Sequence, residues 1–201
     1  MAGHFEPLSG GGAAVALDEV EVSILRSLAV QLLELIGPGD ESAGPEGADP
    51  LARLFAEGPS EPPSDPALAR LFPDAYGEPG AEQDPQERAH AAEFRRYTEN
   101  DLRDRKREDA LAVVRSLDSL TVAGDAGDDA AVLRLAPEDC RRWLGALNDL
   151  RLAIGARLEI AHDDDSEVLL RLPDEDPRKP MVMAYLWLGG LQESLVEALI
   201  G

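Results

Sequence analysis

The feature that most constrains the fold is the recurrence of apolar residues every three or four positions in long, separate stretches. Three such stripes are clear: Val22–Leu25–Leu32–Ile36, Ala110–Val113–Leu117–Leu120 and Leu188–Leu191–Leu195–Leu199. This spacing is typical of helices that each bury one face. Apolar residues make up 44% of the 201 residues, but only 4% are aromatic, so a core must be built mainly from Leu, Val and Ala. The sequence therefore predicts a mainly α single domain over residues 1–201, a bundle of about four long helices.

Short β-type segments precede two of the predicted helices. Residues 13–17 follow three glycines and precede the N-cap candidate Asp18, and residues 5–8 could pair with them as a hairpin. Residues 130–135 also alternate like a strand, before a helix that starts at Pro137 and runs to about Ile160. We expect the two strand regions to meet in one small β-sheet. The terminal helix is expected at 181–200, after a loop at 162–180.

A segment rich in proline and glycine interrupts the helical pattern between Gly37 and Pro85. Ten of the chain's 15 prolines and seven of its 18 glycines lie there. We expect a disordered insert that carries two short amphipathic turns, "DPLARLF" at Asp49–Phe55 and "DPALARLF" at Asp65–Phe72. The second turn is expected to dock through Leu68, Leu71 and Phe72.

The stretch "EFRRYTENDLRDRKR" at 93–107 is the strongly basic passage of a chain whose net charge is −21. Thr98 with Asp101 resembles a second helix cap, which predicts a bend near Tyr97. The apolar stripe of the following helix, when continued toward the N-terminus, runs onto four residues that usual core packing does not accommodate. They are Leu102, Arg103, Lys106 and Arg107.

These four residues have three possible uses. The chain's own acids could neutralise the cations, for example through Glu99–Arg103 and Asp101–Arg105 pairs. Alternatively, the four residues could bind an acidic protein partner, or the cations could contact nucleic acid. The overall negative charge disfavours nucleic acid and anionic membranes. We therefore retain Leu102, Arg103, Lys106 and Arg107 as the candidate partner-binding residues.

A second candidate site combines polar residues on the faces of the last two long helices. Asn148 and Arg151 lie on or beside one face with Gly145 and Gly155, while Gln192 and Glu193 lie within or beside the apolar stripe of the terminal helix. A buried amide or guanidinium group needs partners, because an unsatisfied one costs about 1–3 kcal/mol. The four residues either form a structural network between the helices or line a ligand pocket.

The sequence contains no phosphate-binding glycine loop, dinucleotide fingerprint, zinc signature or nucleophile elbow. "HDDD" at 162–165 lacks the spacing of a calcium loop, and the single cysteine, Cys140, has no histidine nearby in sequence. No signal peptide or membrane-spanning run is present, which predicts a cytoplasmic location. The sequence predicts no metal, no cofactor and no catalytic residue, and it leaves the oligomeric state open.

Four stretches carry a family resemblance: "DPALARLFPDAY", "AEFRRYTENDLRDRK", "WLGALNDLRLAIGARLEI" and "AYLWLGGLQESLVEALIG". Together, in this order, they resemble the actinobacterial domain-of-unknown-function family numbered twenty-seventeen. The resemblance covers nearly the whole chain except the insert at 37–65. Genes of that family typically lie beside the gene of the Clp protease adaptor, which implies a link to Clp-dependent proteolysis.

We interpret the chain as a non-enzymatic protein-interaction or regulatory protein. The alternative is a small-ligand-binding protein or enzyme that uses a polar pocket at Asn148, Arg151, Gln192 and Glu193.

Overall fold

The computed structural model describes residues 3–38, 58–76, 84–123 and 130–200. The elements in chain order are β1 (Glu6–Pro7), β2 (Ala13–Leu17), α1 (Glu19–Ile36), α2 (Pro66–Leu71), α3 (Pro85–Ala123), β3 (Ala131–Leu135), α4 (Pro137–Arg157), α5 (Asp163–Leu170) and α6 (Lys179–Ile200). This architecture, mainly helical with a small antiparallel sheet, confirms the predicted fold class at that level. Within the described ranges, no helix has both the length and the apolarity that crossing a membrane requires.

The β-sheet has the order β1-β2-β3, with both neighbouring pairs antiparallel. Val15 lies opposite Leu133, so the two strand regions meet as the sequence predicts. Gly12 closes the hairpin at a φ of +89°, and a Cβ on it would collide with the carbonyl oxygen of Leu135. Glycine is required here because it alone combines this left-handed conformation with such a close backbone approach.

Helix α1 begins and ends as its sequence predicts. The Asp18 carboxylate accepts a hydrogen bond from the Glu21 N–H at 2.8 Å, and the Glu21 carboxylate accepts one from the Asp18 N–H at 3.0 Å. This reciprocal cap satisfies two of the free N–H groups at the helix start. Gly37, at a φ of +86°, ends the helix and donates its N–H to Leu33.

Helix α3 is continuous over 39 residues and spans about 58 Å. The predicted second cap at Thr98 is wrong. The Thr98 hydroxyl instead donates to the Phe94 carbonyl oxygen, one turn back, at 2.8 Å. A threonine can make this bond inside a helix, so the Thr-x-x-Asp pattern alone does not mark a helix start. In its C-terminal half, α3 buries Ala110, Val113 and Leu117.

The second amphipathic turn forms helix α2, which packs against α4. Asp65 caps it by accepting hydrogen bonds from the N–H groups of Ala67 and Leu68. Leu71 and Phe72 are buried and Leu68 is partly buried, as the docking prediction requires. The first turn, at Asp49–Phe55, and the disorder predicted around it lie outside the described residues.

The core joins the helices to the sheet. Trp143 of α4 is fully buried and meets Phe5 edge-on, with the ring centroids 6.0 Å apart. The Phe5 N–H donates to the Ser194 hydroxyl at 3.1 Å, which ties the N-terminal hairpin to α6. The core of α6 is formed by Leu188, Leu191 and Leu195.

The segment at 162–180 is not simply a loop, because it contains helix α5. The Asp165 carboxylate accepts hydrogen bonds from the N–H groups of Ala161 and His162 and so holds the start of that helix. These two bonds lower the pKa of Asp165. The acidic stretch at 162–165, which was predicted to lie in a loop, therefore includes a helix cap.

We predict that Phe72→Ala lowers the free energy of unfolding by about 3–5 kcal/mol, because it removes a buried ring under α3. Chemical denaturation monitored by circular dichroism measures this loss. Val168→Ala is the control, since Val168 is 64% exposed and its truncation should change stability by less than about 0.5 kcal/mol. Equal effects of the two substitutions would contradict the docking of α2.

Candidate functional site

Arg95, Glu99 and Arg103 form a row of charged side chains along the inner face of α3. Arg95 is 5% exposed and Glu99 is 3% exposed. The Glu99 carboxylate pairs with Arg95 through one oxygen and with Arg103 through the other, the latter at 2.6 Å. Arg95 also donates to the Asp74 carboxylate at 2.8 Å and to the Phe72 carbonyl oxygen at 2.9 Å. Burial opposes the charge of Arg95, but its bonds to Asp74 and Glu99 raise its pKa.

Two cations of α3 bind the C-terminal end of α1. Arg103 donates to the carbonyl oxygen of Ile36 at 2.7 Å, and Arg107 donates to the carbonyl oxygen of Gly37. Carbonyl groups at a helix end have no partner within the helix and carry partial negative charge, so a guanidinium group there is stabilising. The Arg103 guanidinium also lies over the Phe72 ring, 4.3 Å from its centroid. These contacts fix α1 and α2 against α3.

Lys106 makes a further buried contact, this time with α4. Its ammonium group lies 2.5 Å from the Asp149 carboxylate, which is 2% exposed. Burial raises the pKa of Asp149, although the bond from Lys106 acts in the opposite direction. Burial also raises the pKa of Asp109 on the same side of α3, and the nearby charge of Asp149 adds to that rise. The interface between α3 and α4 thus holds two carboxylates near one ammonium group.

The structure places the four candidate partner-binding residues in two different environments. Leu102 is 37% exposed. Arg103, Lys106 and Arg107 are partly buried and bound to groups of this chain, which is the arrangement expected if the chain neutralises its own cations. The Glu99–Arg103 pair forms, whereas no Asp101–Arg105 pair is present among the described residues. Binding of an acidic partner by these four residues stays a prediction.

The second set of candidates is only partly brought together. Arg151 donates to the Gln192 side-chain oxygen at 2.9 Å and to the Tyr185 hydroxyl at 3.5 Å. Glu193 is exposed, but it lines the same open cleft of about 590 Å³ as Arg151 and Gln192. Asn148 is exposed and does not line that cleft. The cleft thus offers one guanidinium group, one amide and two carboxylates, since Glu197 lines it as well.

A second concave surface lies between α1, α2, α4 and α6. This groove measures about 610 Å³, and its lining is mostly aliphatic. Leu28, Leu35, Ile154 and Met181 contribute to it, with Glu34 and Arg157 among the polar residues. Such a lining offers an apolar surface instead of an arrangement of acid and base groups.

Sequence reasoning missed several residues that complete these clusters. Asp149 lies between the buried Ala146 and Ala153 on the core side of α4, and this position is a signal for a buried carboxylate that needs a cation. Tyr185 lies one turn before the apolar stripe of α6, and Arg151 lies over its ring, 5.0 Å from the centroid. Asp74 carries no periodic signal, because it lies in a short irregular segment after α2.

The described residues offer little of the chemistry that catalysis or metal binding requires. Cys140 is fully buried, and burial raises the pKa of its thiol. A thiol with a raised pKa is a weak nucleophile at neutral pH, because the thiolate is the reactive form. In the part of the chain that the structure describes, no group of three His, Cys, Asp or Glu side chains could hold a metal ion.

Comparison with known proteins confirms the resemblance. The profile of the family described as "Domain of unknown function (DUF2017)" matches residues 2–199. The "Oxidative stress regulator AosR" of Mycobacterium tuberculosis is 31% identical over 186 residues, covering 90% of this chain and 79% of that protein. The "Putative oxidative stress regulator AosR" of Mycobacterium leprae is 32% identical, with the same coverage. No solved structure matches.

We predict that Lys106→Met lowers the free energy of unfolding at pH 7 by about 3–5 kcal/mol, because it strands the buried Asp149 carboxylate. Without Lys106, the folded-state pKa of Asp149 rises further. A carboxyl group whose pKa is raised on folding stabilises the folded state at low pH, where it is protonated. This stabilisation is lost as the pH rises through the folded-state pKa. The loss should therefore shrink when the pH falls toward the ordinary aspartate value of 3.8.

Urea denaturation at pH 7 and at about pH 4.5 measures this dependence. Arg115→Met is the matched control, because it removes one cation of the same helix from an exposed position. A loss from Lys106→Met that is equal at both pH values, or no larger than that of the control, would contradict the buried pair.

Proposed function

Because the chain belongs to the DUF2017 family, we propose that it is a non-enzymatic cytoplasmic regulator of the oxidative stress response that acts by binding a protein partner. The observation that carries this proposal is the identity of about a third with mycobacterial proteins named as oxidative stress regulators. The match extends over 90% of the chain, and the family profile matches residues 2–199.

The state of the buried ionic groups supports a binding role over an enzymatic one. Glu99 is saturated by two arginines, and Asp149 is held by Lys106. A general acid or base must reach a substrate within hydrogen-bond distance, and these carboxylates lie between packed helices. Their geometry supports a structural role for them.

The single cysteine argues against signalling through a disulfide within this chain. Cys140 is the only cysteine of the 201 residues, so an internal disulfide cannot form. Its burial and raised pKa also disfavour direct oxidation of the thiol. We infer that the oxidant is detected elsewhere, and that this chain transmits the response by association.

Two finer interpretations stay predictions. A link to Clp-dependent proteolysis follows only from the gene order that the family resemblance implies. Ligand binding in the cleft at Arg151 is the second candidate function. It is favoured by the Arg151 Nε atom, which is buried and has no hydrogen-bond partner among the described residues. Gln192 and Tyr185 already engage the other nitrogens of that side chain, which leaves less of it for a ligand.

Deletion of the gene in its own host, followed by hydrogen peroxide challenge, tests the proposed function. We expect the deletion to change both survival and the transcript response to peroxide, and the wild-type gene to restore them. Cys140→Ala should restore them equally well at matched protein levels, because this thiol is buried and not used for sensing. An unchanged response in the deletion strain would contradict the regulatory role, and failure of a folded Cys140→Ala protein would contradict the inference about the thiol.

A further inference from the structure

The outward side of the N-terminal half of α3 carries aromatic side chains. His90, Phe94 and Tyr97 are spaced by four and three residues, which places them on one face of the helix. At 100° per residue, this face lies nearly opposite the inward face that holds Arg95 and Glu99. Phe94 is 45% exposed and Tyr97 is 61% exposed. The helix therefore presents aromatic rings to solvent and directs the buried ion pairs inward.

Tyr76, which follows α2, joins these rings into one patch. Its ring centroid lies 6.0 Å from that of His90 and 6.0 Å from that of Phe94, in edge-to-face geometry in both cases. We call Tyr76, His90, Phe94 and Tyr97 the aromatic face. It uses three of the nine Phe, Trp and Tyr residues in the whole chain. Contiguous exposed rings of this kind are typical of binding surfaces, where aromatic residues are enriched.

Carboxylates accompany the aromatic face along the helix. Glu93, Asp101 and Glu108 are exposed and lie within about 60° of it around the helix axis. Across the described residues, no hydrogen bond or ion pair engages these three side chains, and they are therefore open to an external cation. Arg105 is exposed on the same side, and the surface keeps a net negative charge.

We propose that the aromatic face, together with Glu93 and Asp101, is the surface that binds a basic polypeptide segment bearing apolar side chains. This inference rests on the proposed function and adds to it the chemistry of the partner. The basic sequence at 93–107 predicts an acidic partner, whereas this proposal names a basic one. The cations of that stretch that face inward bind groups of this chain, while its outward side is aromatic and acidic.

The charge of the surface selects the class of partner. A net charge of −21 repels the phosphate backbone of nucleic acids and the head groups of anionic lipids. It attracts Lys- and Arg-rich segments and raises their rate of encounter. The apolar rings then contact the aliphatic side chains of the segment, so that binding does not depend on charge alone.

One contact within the chain illustrates how a partner cation would bind. The Arg96 guanidinium lies 4.9 Å from the centroid of the Tyr97 ring. Aromatic rings attract cations because the ring face carries negative electrostatic potential. Since Tyr97 keeps 61% of its surface exposed, a partner's Arg or Lys side chain can approach the same ring while Asp101 or Glu93 binds its charge.

The test uses the full chain and two synthetic 20-residue amphipathic peptides, one of Leu and Arg and one of Leu and Glu with the same spacing. Fluorescence anisotropy measures the Kd of each peptide over a range of salt concentrations. The aromatic variant is Phe94→Ala/Tyr97→Ala. The matched control is Val20→Ala/Val168→Ala, which removes two side chains that are 65% and 64% exposed elsewhere on the surface. Circular dichroism checks that both variants fold.

We expect the basic peptide to bind, with a Kd that rises with salt, and the acidic peptide to bind at least about tenfold more weakly. The aromatic variant should weaken binding of the basic peptide by about tenfold or more, and the control by less than about twofold. Glu93→Gln/Asp101→Asn should weaken binding and reduce its salt dependence. If the aromatic variant and the control lose the same binding affinity for the basic peptide, the interaction is general charge attraction and the proposal is wrong. Tighter binding of the acidic peptide than of the basic one would also overturn it.

Complementation separates this proposal from the proposed function. If wild type restores the peroxide response and the folded aromatic variant does not, the surface and the regulatory role are both supported. If both restore it equally, the aromatic face is not the partner surface, although the regulatory role stands. A deletion strain with a normal peroxide response contradicts the regulatory role whatever the peptide data show.

Discussion

The burial of Glu99 between Arg95 and Arg103 is the interaction on which the arrangement of the long helix α3 depends. One carboxylate at 3% exposure receives two guanidinium groups, and both of these reach other parts of the chain. Removal of a partner from such a buried pair costs more than the pair itself contributes, because it leaves an uncompensated charge. We therefore expect the three side chains of this row to become buried together. Their burial determines which side of α3 faces inward.

This row determines what surrounds α3 and what remains on its surface. Arg95 holds the segment after α2 through the Phe72 carbonyl and Asp74, while Arg103 holds the end of α1 through Ile36. With Arg95, Glu99 and Arg103 directed inward, the opposite side of the helix, which carries Phe94, faces solvent. The exposed aromatic face is thus a consequence of the internal ion pairs.

Sequence reasoning recovered those parts of the fold that local chemistry determines. The Asp18 cap, the stop at Gly37, the sheet and the docked "DPALARLF" turn follow from propensity and periodicity, which act over a few residues. The second cap predicted at Thr98 was wrong, because the Thr98 hydroxyl bonds the Phe94 carbonyl oxygen within a continuous helix. Long-range partners such as Asp74 and the Ile36 carbonyl could not be predicted, since they depend on how separate elements pack.

The candidate sites show the same difference between what local sequence determines and what depends on packing. The sequence identified four polar residues within or beside the apolar faces of α4 and α6, but whether each one faces a cleft or open solvent depends on helix rotation by a few tens of degrees. Arg151 and Gln192 meet, and Asn148 lies outside the cleft. The apolar stripe placed Arg103 and Lys106 on the core side of the helix axis but left three uses of them open, and the groups that they bind became clear only in the three-dimensional structure.

Amide hydrogen exchange along α3 in Glu99→Ala tests most directly whether this row holds the N-terminal half of the helix. The control is Asp101→Ala, which removes an exposed carboxylate two residues away. We expect Glu99→Ala to lower protection across residues 91–107 by at least about a hundredfold relative to wild type, since stranding the arginines costs about 3–5 kcal/mol. Residues 110–120, packed by Val113 and Leu117, should lose much less protection. Unchanged protection over residues 91–107, or a loss no greater than that of the control, would contradict the account.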